Sequence, residues 1–377
     1  MKSRRDEWHA IGQTKATIDC AVSLQSSWRV LIHAGMDRIV LPLELSHETR
    51  PQMKTDPKFG TVASQLKTVV LLMNPRAGAK SAEERVTALR QQLESRGLNV
   101  LVLKDLEEMK RVADSDSQLR CVVACGGDGT AAAVVNRTAP DTPIVTFPLG
   151  TENVLAKYLQ VSGDPETVAE MIIDGKWVQL DVGKAGDRLF LLHVGCGFDA
   201  DVVRRLHNER TGHIQRLSYA KPIIQSIRKY PYPELMVKYD PRLKQNDTHT
   251  GLIRCRWAFV VNLPRYAGGL EFVPEAVGTD GLLDICTFRS GSLWSGLWYL
   301  GSVLFGRHRQ SQDCITVQTT RVRLESSGQV PYQLDGDPGG FLPVDIEIVP
   351  ARLRLVVPAQ WLNEQQENGT INGVGNS

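Results

Sequence analysis

The chain has 377 residues, of which 42% are hydrophobic and 23% are charged, and its formal net charge is +2. A chain of this length buries a sizeable core and divides into about two domains plus an extension. The composition excludes global disorder, a collagen-like repeat and a small disulfide-stapled fold. The near-zero net charge gives no reason to expect a nucleic-acid partner, and we expect none.

No stretch of the sequence approaches the ~20 apolar residues of a membrane span. The N-terminal residues carry Lys2, Arg4 and Arg5, but the acidic residues Asp6 and Glu7 interrupt any apolar run, so no signal peptide is visible. We therefore expect a cytoplasmic protein.

Residues 1–64 are weakly patterned and end in a polar stretch that reads as a linker, so we predict an extension of unknown role. From Thr68 onward, apolar runs alternate with helical segments. Strands are predicted at residues 69–73, 100–103, 121–125 and 144–147, of which 69–73 and 121–125 are predicted to be buried. Helices are predicted to begin near Ser81, Leu106, Thr130 and Glu152. This alternation is typical of a parallel sheet wrapped by helices, and it predicts an α/β domain over residues 65–178.

After about Val178 the pattern changes to short strands with few helices. Strands are predicted at residues 178–182, 189–194, 235–239, 254–261, 282–288, 314–317, 321–325, 345–349 and 353–357. Helices are predicted near residues 200–230 and 293–306. This pattern favours a mostly antiparallel β-sandwich over residues 179–362. The tail, residues 363–377, is rich in Asn, Gly and Gln, which predicts disorder.

Three turns in the first domain follow buried strands at their carboxyl ends, the edge at which open α/β sheets bind ligands. The most informative one runs from Gly126 to Thr130 and reads GGDGT. Its glycines let backbone N–H groups approach a polyphosphate, and the helix that follows points its positive end there. Asp128 would repel phosphate unless a divalent cation lay between them. The alternative is a glycine-rich turn that serves backbone geometry alone.

The other two turns favour the phosphate interpretation. Asn74 to Gly78 offers an amide, a basic group and a glycine, and Pro148 to Asn153 offers a hydroxyl and an amide. Neither GxxxxGK[ST] nor a GxGxxG after a strand occurs, which disfavours P-loop NTPases and nicotinamide oxidoreductases.

Asp335-Gly336-Asp337 follows a strand-like segment in the second half of the chain. Two carboxylates around a glycine can hold a metal ion or act as a general base. Asp-Gly is equally a strong hairpin signal, and the spacing alone does not decide between these interpretations.

Two further segments have apolar or basic character. Ten Lys or Arg against three acids lie between Val202 and Gln245, interleaved with apolar groups, which suits either an anionic membrane surface or a solvated helix face. The stripe Trp294, Leu297, Trp298, Leu300, Val303, Leu304 has helical spacing, which favours core packing over a lipid site.

Six ordered motifs of this sequence resemble those of the diacylglycerol kinase catalytic-domain family. They are Asn74-Pro75-x-x-Gly78, Gly126-Gly127-Asp128-Gly129-Thr130, Pro148-Leu149-Gly150-Thr151-x-Asn153, Gly195-x-Gly197-Phe198-Asp199-Ala200, Asp280-Gly281-Leu282-Leu283-Asp284 and Asp335-Gly336-Asp337. The resemblance spans Thr68 to Pro358. It implies a nucleotide-binding α/β domain similar to that of phosphofructokinases and NAD kinases, a β-sandwich, and an active site between them.

The resemblance also implies ATP and Mg²⁺ as cofactors and a membrane lipid as acceptor. The residues that would bind ATP are Asn74, Gly78, Gly126, Gly127, Asp128, Gly129, Thr130, Ala131, Ala132, Thr151 and Asn153. Asp337 would accept the proton, with Asp128 as the other catalytic carboxylate. A structural Mg²⁺ would use Asp280 and the carbonyls of Val277 and Leu282.

The sequence departs from the family pattern at two positions. The C-terminal motif of the family ends in Glu where this chain has Asp337, and many relatives have Asp where it has Val154. These departures keep a binding protein with little or no turnover as an alternative, beside a kinase of a soluble alcohol such as NAD. The main interpretation is a lipid kinase that docks on the inner face of the membrane, with a homodimer as a further expectation.

Overall fold

The computed structural model describes residues 59–73, 80–208, 226, 230–240 and 251–367. The first part of this region is an α/β layer. Its strands are β1 (Phe59–Thr61), β2 (Thr68–Met73), β3 (Asn99–Leu103), β4 (Leu119–Gly126) and β5 (Ile144–Pro148). Its helices are α1 (Lys80–Ser95), α2 (Leu106–Ser115), α3 (Asp128–Val135), α4 (Val154–Tyr158) and α5 (Pro165–Asp174).

The second part is dominated by strands. They are β6 (Lys176–Ala185), β7 (Arg188–Phe190), β8 (His193–Cys196), β9 (Leu235–Tyr239), β10 (Gly251–Cys255), β11 (Trp257–Val261), β12 (Leu283–Phe288), β13 (Cys314–Thr319), β14 (Arg321–Ser326), β15 (Pro331–Leu334), β16 (Asp337–Phe341) and β17 (Val344–Val356). The helices are α6 (Phe198–Asn208), α7 (Leu293–Leu304) and α8 (Ala359–Glu367).

The parallel strands β3, β2, β4 and β5 lie side by side, as the alternating pattern predicts. The strand β2 is buried along its whole length because helices cover both faces of a parallel sheet. The chain therefore has the predicted fold class, a parallel-sheet α/β layer followed by a mostly antiparallel β-sandwich. Helix α5, which begins at Pro165 behind the N-cap Asp164, was not predicted.

One long strand joins the two parts of the fold. The predicted strands 345–349 and 353–357 are the single strand β17, which a register shift and the positive φ of Ala351 bend between Val349 and Leu353. Strand β17 pairs antiparallel with β6 and β14, and it also pairs parallel with β5 at Leu355 and Ile144. The parallel sheet and one sheet of the sandwich are thus one continuous sheet, as the 11-stranded assignment shows.

The second sheet has six strands in the order β13-β12-β11-β8-β15-β16. Two predicted strands are in fact pairs that cross between the sheets. Residues 254–261 divide into β10 and β11 at Arg256, and residues 189–194 divide into β7 and β8 at Leu191 and Leu192. The apolar pattern continues through both crossings because both sides of each crossing are buried in the core between the sheets.

Helix α7 differs from the core prediction for its stripe. Val303 is buried, but Trp294, Leu297, Trp298 and Leu304 are exposed, and the side chain of Leu300 lies outside the described residues. None of the helices in the described part of the chain is long and apolar enough to cross a membrane.

The predictions for the N-terminal extension, the basic stretch and the C-terminal tail concern segments that the structure describes only in part. Strand β1 occupies the end of the predicted linker, and helix α8 extends to Glu367, past the predicted start of the disordered tail. Most of residues 1–64, most of the basic stretch and the rest of the tail lie outside the described residues.

Candidate active site

The glycine turn Gly126–Thr130 connects β4 to the first turn of α3. The Thr130 and Ala131 amides donate to the Gly127 carbonyl, and no side chain caps the start of the helix. A Cβ at Gly126 would collide with the Thr130 side chain, so the turn needs glycine at that position. Thr130 and Ala131 are buried beneath the turn, and Ala132 is half-buried. The turn therefore presents backbone rather than side chains at the carboxyl edge of the sheet.

Asp128 holds the start of a second helix. Its two carboxylate oxygens accept the Val154 and Leu155 amides, each at 2.9 Å, so it caps α4 from another turn. Burial raises the pKa of Asp128, and the two amide hydrogen bonds partly offset this effect. Asp128 thus has a structural role in addition to the predicted role at a nucleotide.

The turn Pro148–Asn153 lies directly against the glycine turn. The Leu149 amide donates to the Gly126 carbonyl at 2.9 Å, and a Cβ on Gly150 would lie 2.7 Å from the Gly127 Cα. Asn153 is in the left-handed conformation, and its side chain bonds both the Gly150 N–H and the Gly150 carbonyl. Asn153 therefore fixes the shape of this turn, on which Thr151 is exposed.

Asp335 is an anchor at the crossing between the two sheets. Its carboxylate accepts the Leu191, Leu192 and His193 amides at 2.6, 2.8 and 3.0 Å. Burial raises the pKa of Asp335 to about 6 against the opposing effect of these amides, and the negative charge of nearby Asp128 raises it further. The sequence does not indicate which acid of the Asp-Gly-Asp motif has which role. The structure shows that the two acids have different environments.

Asp337 is the acid of this motif that faces the glycine turn. Asp335 and Gly336 both have positive φ, at 51° and 88°, and this tight turn places Asp337 at the start of β16. A Cβ on Gly129 would lie 3.2 Å from the Asp337 Oδ2. Asp337 forms no hydrogen bond or ion pair with the described residues, so its carboxylate is available to a ligand. The fold thus brings the two motifs together, although about two hundred residues separate them in sequence.

A buried network that the sequence analysis missed supports the same turn. Gln333 accepts the Gly336 amide at 2.7 Å and donates to the Asp199 carboxylate at 2.9 Å, while Tyr266 donates to the other Asp199 oxygen. Burial raises the pKa of Asp199, and the two side-chain hydrogen bonds partly offset it. A Cβ at Gly195 would overlap this pair, so the glycine of the Gly195-x-Gly197 motif is the signal that could have indicated it.

His193 lies beside this network, with its ring centroid 4.3 Å from that of Tyr266. Its Nδ1 is buried and has no hydrogen-bond partner among the described residues. Burial lowers the pKa of His193 to about 3, so its imidazole is neutral at physiological pH.

The predicted Mg²⁺ residues lie at a different turn. The Asp280 carboxylate accepts the Leu282 amide at 3.0 Å, and the Asp280 amide donates to the Val277 carbonyl. Asp181 on β6 holds the same turn by accepting the Gly281 amide at 2.7 Å. The Mg²⁺ assignment here stays a prediction.

The described part of the chain contains no cluster of three or more His, Cys, Asp or Glu side chains that could hold a metal ion. Asn74 and Gly78, the remaining predicted ATP ligands, lie outside the described residues.

Two family models match the chain in sequence order. The diacylglycerol kinase catalytic domain matches residues 68–185, and the YegS C-terminal NAD kinase beta sandwich-like domain matches residues 193–357. The chain belongs to the diacylglycerol kinase catalytic-domain family.

Curated relatives are similar to the chain in sequence, and a solved structure is similar to it in fold. The chain is 28% identical over 301 residues to a diacylglycerol kinase of Mycobacterium tuberculosis, covering 77% of this chain and 95% of the relative. It is 25% identical over 244 residues to a diacylglycerol kinase of Bacillus subtilis, covering 63% and 78%. A crystal structure of a diacylglycerol kinase from Bacillus anthracis matches the fold with a TM-score of 0.59 at 22% identity, covering 78% of this chain and 98% of that one. Both domains of the diacylglycerol kinase family are therefore present.

Because Asp335 anchors three backbone amides, we expect its replacement to lower the stability of the fold. Asp335→Asn should destabilise the fold by about 1–3 kcal/mol, because an amide group cannot accept all three backbone N–H groups. The raised pKa of Asp335 means that its contribution is full below about pH 4 and falls as pH rises through 6. Urea unfolding should thus show the largest deficit of the variant at pH 4 and a smaller one at pH 7.

The matched control is Asp337→Asn, which should change the unfolding free energy by less than about 0.5 kcal/mol at pH 7 because the Asp337 carboxylate holds no described backbone amide. If wild type and Asp335→Asn lost stability in parallel between pH 4 and pH 7, the raised pKa of Asp335 would be contradicted. Equal unfolding free energies of the two proteins at both pH values would contradict its anchoring role.

Proposed function

We propose that this protein transfers the γ-phosphate of ATP to a hydroxyl group of a membrane lipid of the diacylglycerol class, at the cytoplasmic face of the membrane. The observation that carries the proposal is the placement of the Asp337 carboxylate against Gly129 of the glycine turn. A glycine turn that can bind phosphate and an available carboxylate beside it are what phosphoryl transfer to an alcohol requires. Membership of the diacylglycerol kinase family supports the same chemistry.

The glycine turn fits a polyphosphate. The packing of Gly127 against Gly150 leaves backbone, with no Cβ, at the start of α3, where the helix dipole favours an anion. A Cβ on Gly129 would lie 3.2 Å from the Asp337 carboxylate, Asp128 stands between Gly127 and Gly129, and Thr151 is exposed on the neighbouring turn. Mg²⁺ would be held by the phosphates and by one or two of these carboxylates, and it would neutralise the charge that builds up on the transferred group.

The reaction then needs one proton acceptor on the protein. Asp337 takes the proton of the lipid hydroxyl as its oxygen bonds to the γ-phosphorus, and the bond from that phosphorus to the bridging oxygen breaks to release ADP. Asp335, held by three amides, keeps Asp337 in place rather than reacting itself.

The decisive test uses Asp337→Asn with radiolabelled ATP and detergent-dispersed diacylglycerol. Loss of the general base should reduce turnover by about 10²–10⁴-fold. The control is the rise in melting temperature that ATP and Mg²⁺ cause, which the variant should retain. Asp337→Glu, which restores the residue of the family motif, should retain turnover.

Three outcomes would contradict this proposal. Phosphorylation of soluble alcohols in preference to lipids would favour the NAD-kinase-like alternative, and ATP binding without ADP release in any lipid extract would favour a binding protein. Unchanged turnover in Asp337→Asn would exclude that carboxylate as the base.

Gly129→Ala separates folding stability from activity. Gly129 is exposed in the first turn of α3, so alanine should stabilise the helix by up to about 1 kcal/mol. The new methyl group would press on the Asp337 Oδ2 at 3.2 Å and move the carboxylate by a few tenths of an ångström. We expect a higher melting temperature with a turnover about tenfold lower. Turnover equal to that of wild type would show that this contact does not position the base.

Gly127→Ala tests the nucleotide turn itself. A Cβ at Gly127 would meet only ordinary contacts, the nearest being the Gly150 Cα at 3.5 Å, and φ is −97°, so the fold should tolerate alanine. The methyl group would occupy space that the phosphates need, and calorimetry should show ATP affinity at least about tenfold lower. Gly328→Ala is the comparison, because Gly328 is exposed between β14 and β15, its φ is not positive and a Cβ there would meet nothing within 4 Å; its ATP affinity should match that of wild type. Equal affinity in Gly127→Ala would place the phosphates elsewhere.

A further inference from the structure

Helix α7 is apolar on both of its faces, and only one face is packed. The helix contains no charged residue and begins with a capping box between Ser292 and Ser295. On its inner face, Tyr299 and Val303 are buried, and the Tyr299 ring stacks on Phe288 with centroids 4.5 Å apart. A Cβ on Gly296 would lie 2.8 Å from the Trp257 ring, so glycine lets the helix approach the sheet closely.

The outer face presents large apolar side chains to solvent. Trp294 is 78% exposed and Trp298 is 70% exposed, with Phe305 just beyond the helix at 76%. Leu297 and Leu304 lie on the same face and are also exposed. A helix that is apolar all round is normally buried or inserted in lipid, so this face needs an occupant.

The sequence that flanks α7 is basic, and the Asp313 carboxylate, which accepts the Tyr299 hydroxyl at 3.0 Å, lies at the packed face of the helix. Between Asp284 and Asp313 the sequence contains no acidic residue, while Arg289 precedes the helix and Arg307 follows it. Both arginines are exposed and form no ion pair with a described residue. The apolar face is therefore bracketed by positive charge, an arrangement that suits an anionic lipid surface, where each basic side chain strengthens binding.

A second copy of the chain fits this face less well. A two-fold symmetric contact places the same surface patch on both partners. Because both ends of α7 carry arginine, either a parallel or an antiparallel pairing would bring like charges together. Tryptophan, in contrast, is enriched where an apolar region meets water at a membrane surface.

We propose that the outer face of α7, formed by Trp294, Leu297, Trp298, Leu304 and Phe305, enters the surface of an anionic phospholipid bilayer. With 12 residues the helix is about 18 Å long, which is too short to span the bilayer, so it lies in the interface. This inference rests on the proposed function, because a lipid kinase must reach the lipid hydroxyl group in the membrane. The inner face of α7 packs on Trp257, whose ring lies 5.0 Å from that of Phe198, the neighbour of Asp199.

The experiment measures vesicle binding without nucleotide or acceptor lipid. Purified protein is floated with vesicles of phosphatidylcholine alone or of phosphatidylcholine and phosphatidylglycerol in equal amounts. The wild type should bind the anionic vesicles. The variant Trp294→Ser/Trp298→Ser should bind at least about tenfold more weakly, because it loses the apolar area that enters the membrane. Its melting temperature should be unchanged because both side chains are exposed.

Three further variants test whether apolar area and positive charge at α7 are responsible for binding. Leu252→Ser removes an apolar side chain that is 52% exposed on the edge strand β10, which belongs to the 11-stranded sheet and not to the sheet on which α7 packs, and it should bind like wild type. Arg289→Gln and Arg307→Gln should each weaken binding to anionic vesicles about fivefold and leave binding to neutral vesicles unchanged.

The proposal is overturned if wild type fails to bind anionic vesicles, or if Trp294→Ser/Trp298→Ser binds them as wild type does. It is also overturned if that variant changes only a monomer–dimer equilibrium, which would make α7 a contact between copies. Failure of the kinase proposal looks different, because vesicle binding through α7 would then persist while no lipid is phosphorylated.

Discussion

The site depends on one carboxylate, that of Asp335, which holds three consecutive backbone amides where the chain passes from one sheet to the other. Leu191 and Leu192 lie between β7 and β8, and His193 begins β8, so these buried N–H groups need an acceptor at the crossing. Asp335 satisfies them from the tight turn that ends β15. The same turn, through Gly336, directs Asp337 toward Gly129. The requirement for satisfied backbone groups thus fixes the position of the proposed base.

The facing surface is fixed in a similar way by Asp128, which accepts two amides at the start of α4. The glycine turn follows β4 of the 11-stranded sheet and Asp337 begins β16 of the six-stranded sheet, so the site lies where the two sheets meet. Gln333 links the turn of Asp337 to the buried Asp199. Asp128 and Asp335 accept hydrogen bonds from backbone amides, and Asp337 does not. This difference arises from their surroundings in the fold and not from their local sequence.

The sequence predicts the parts of this structure that have local causes. The run Val69–Met73 predicts a strand buried on both faces, and the glycines at 126, 127 and 129 predict a backbone-lined turn, since both follow from nearby residues. It does not predict the crossing at Arg256, because the apolar pattern continues between strands of different sheets. Nor does it distinguish Asp335 from Asp337, or the exposed Trp294 from the buried Val303, because those differences depend on contacts with distant segments.

The negative charges near the glycine turn affect whether a nucleotide would bind as a metal complex or as the free anion. Asp128 and Asp335 interact unfavourably, since the charge of Asp128 raises the pKa of Asp335, and Asp337 adds a third carboxylate next to Gly129. A triphosphate at the glycine turn would add several more negative charges in a partly buried site, where water screens them weakly. The helix dipole of α3 offsets only about half a charge. Under the proposed function, a divalent cation that arrived with the nucleotide would cancel two further charges, so the metal complex would bind here at a lower electrostatic cost than the free anion.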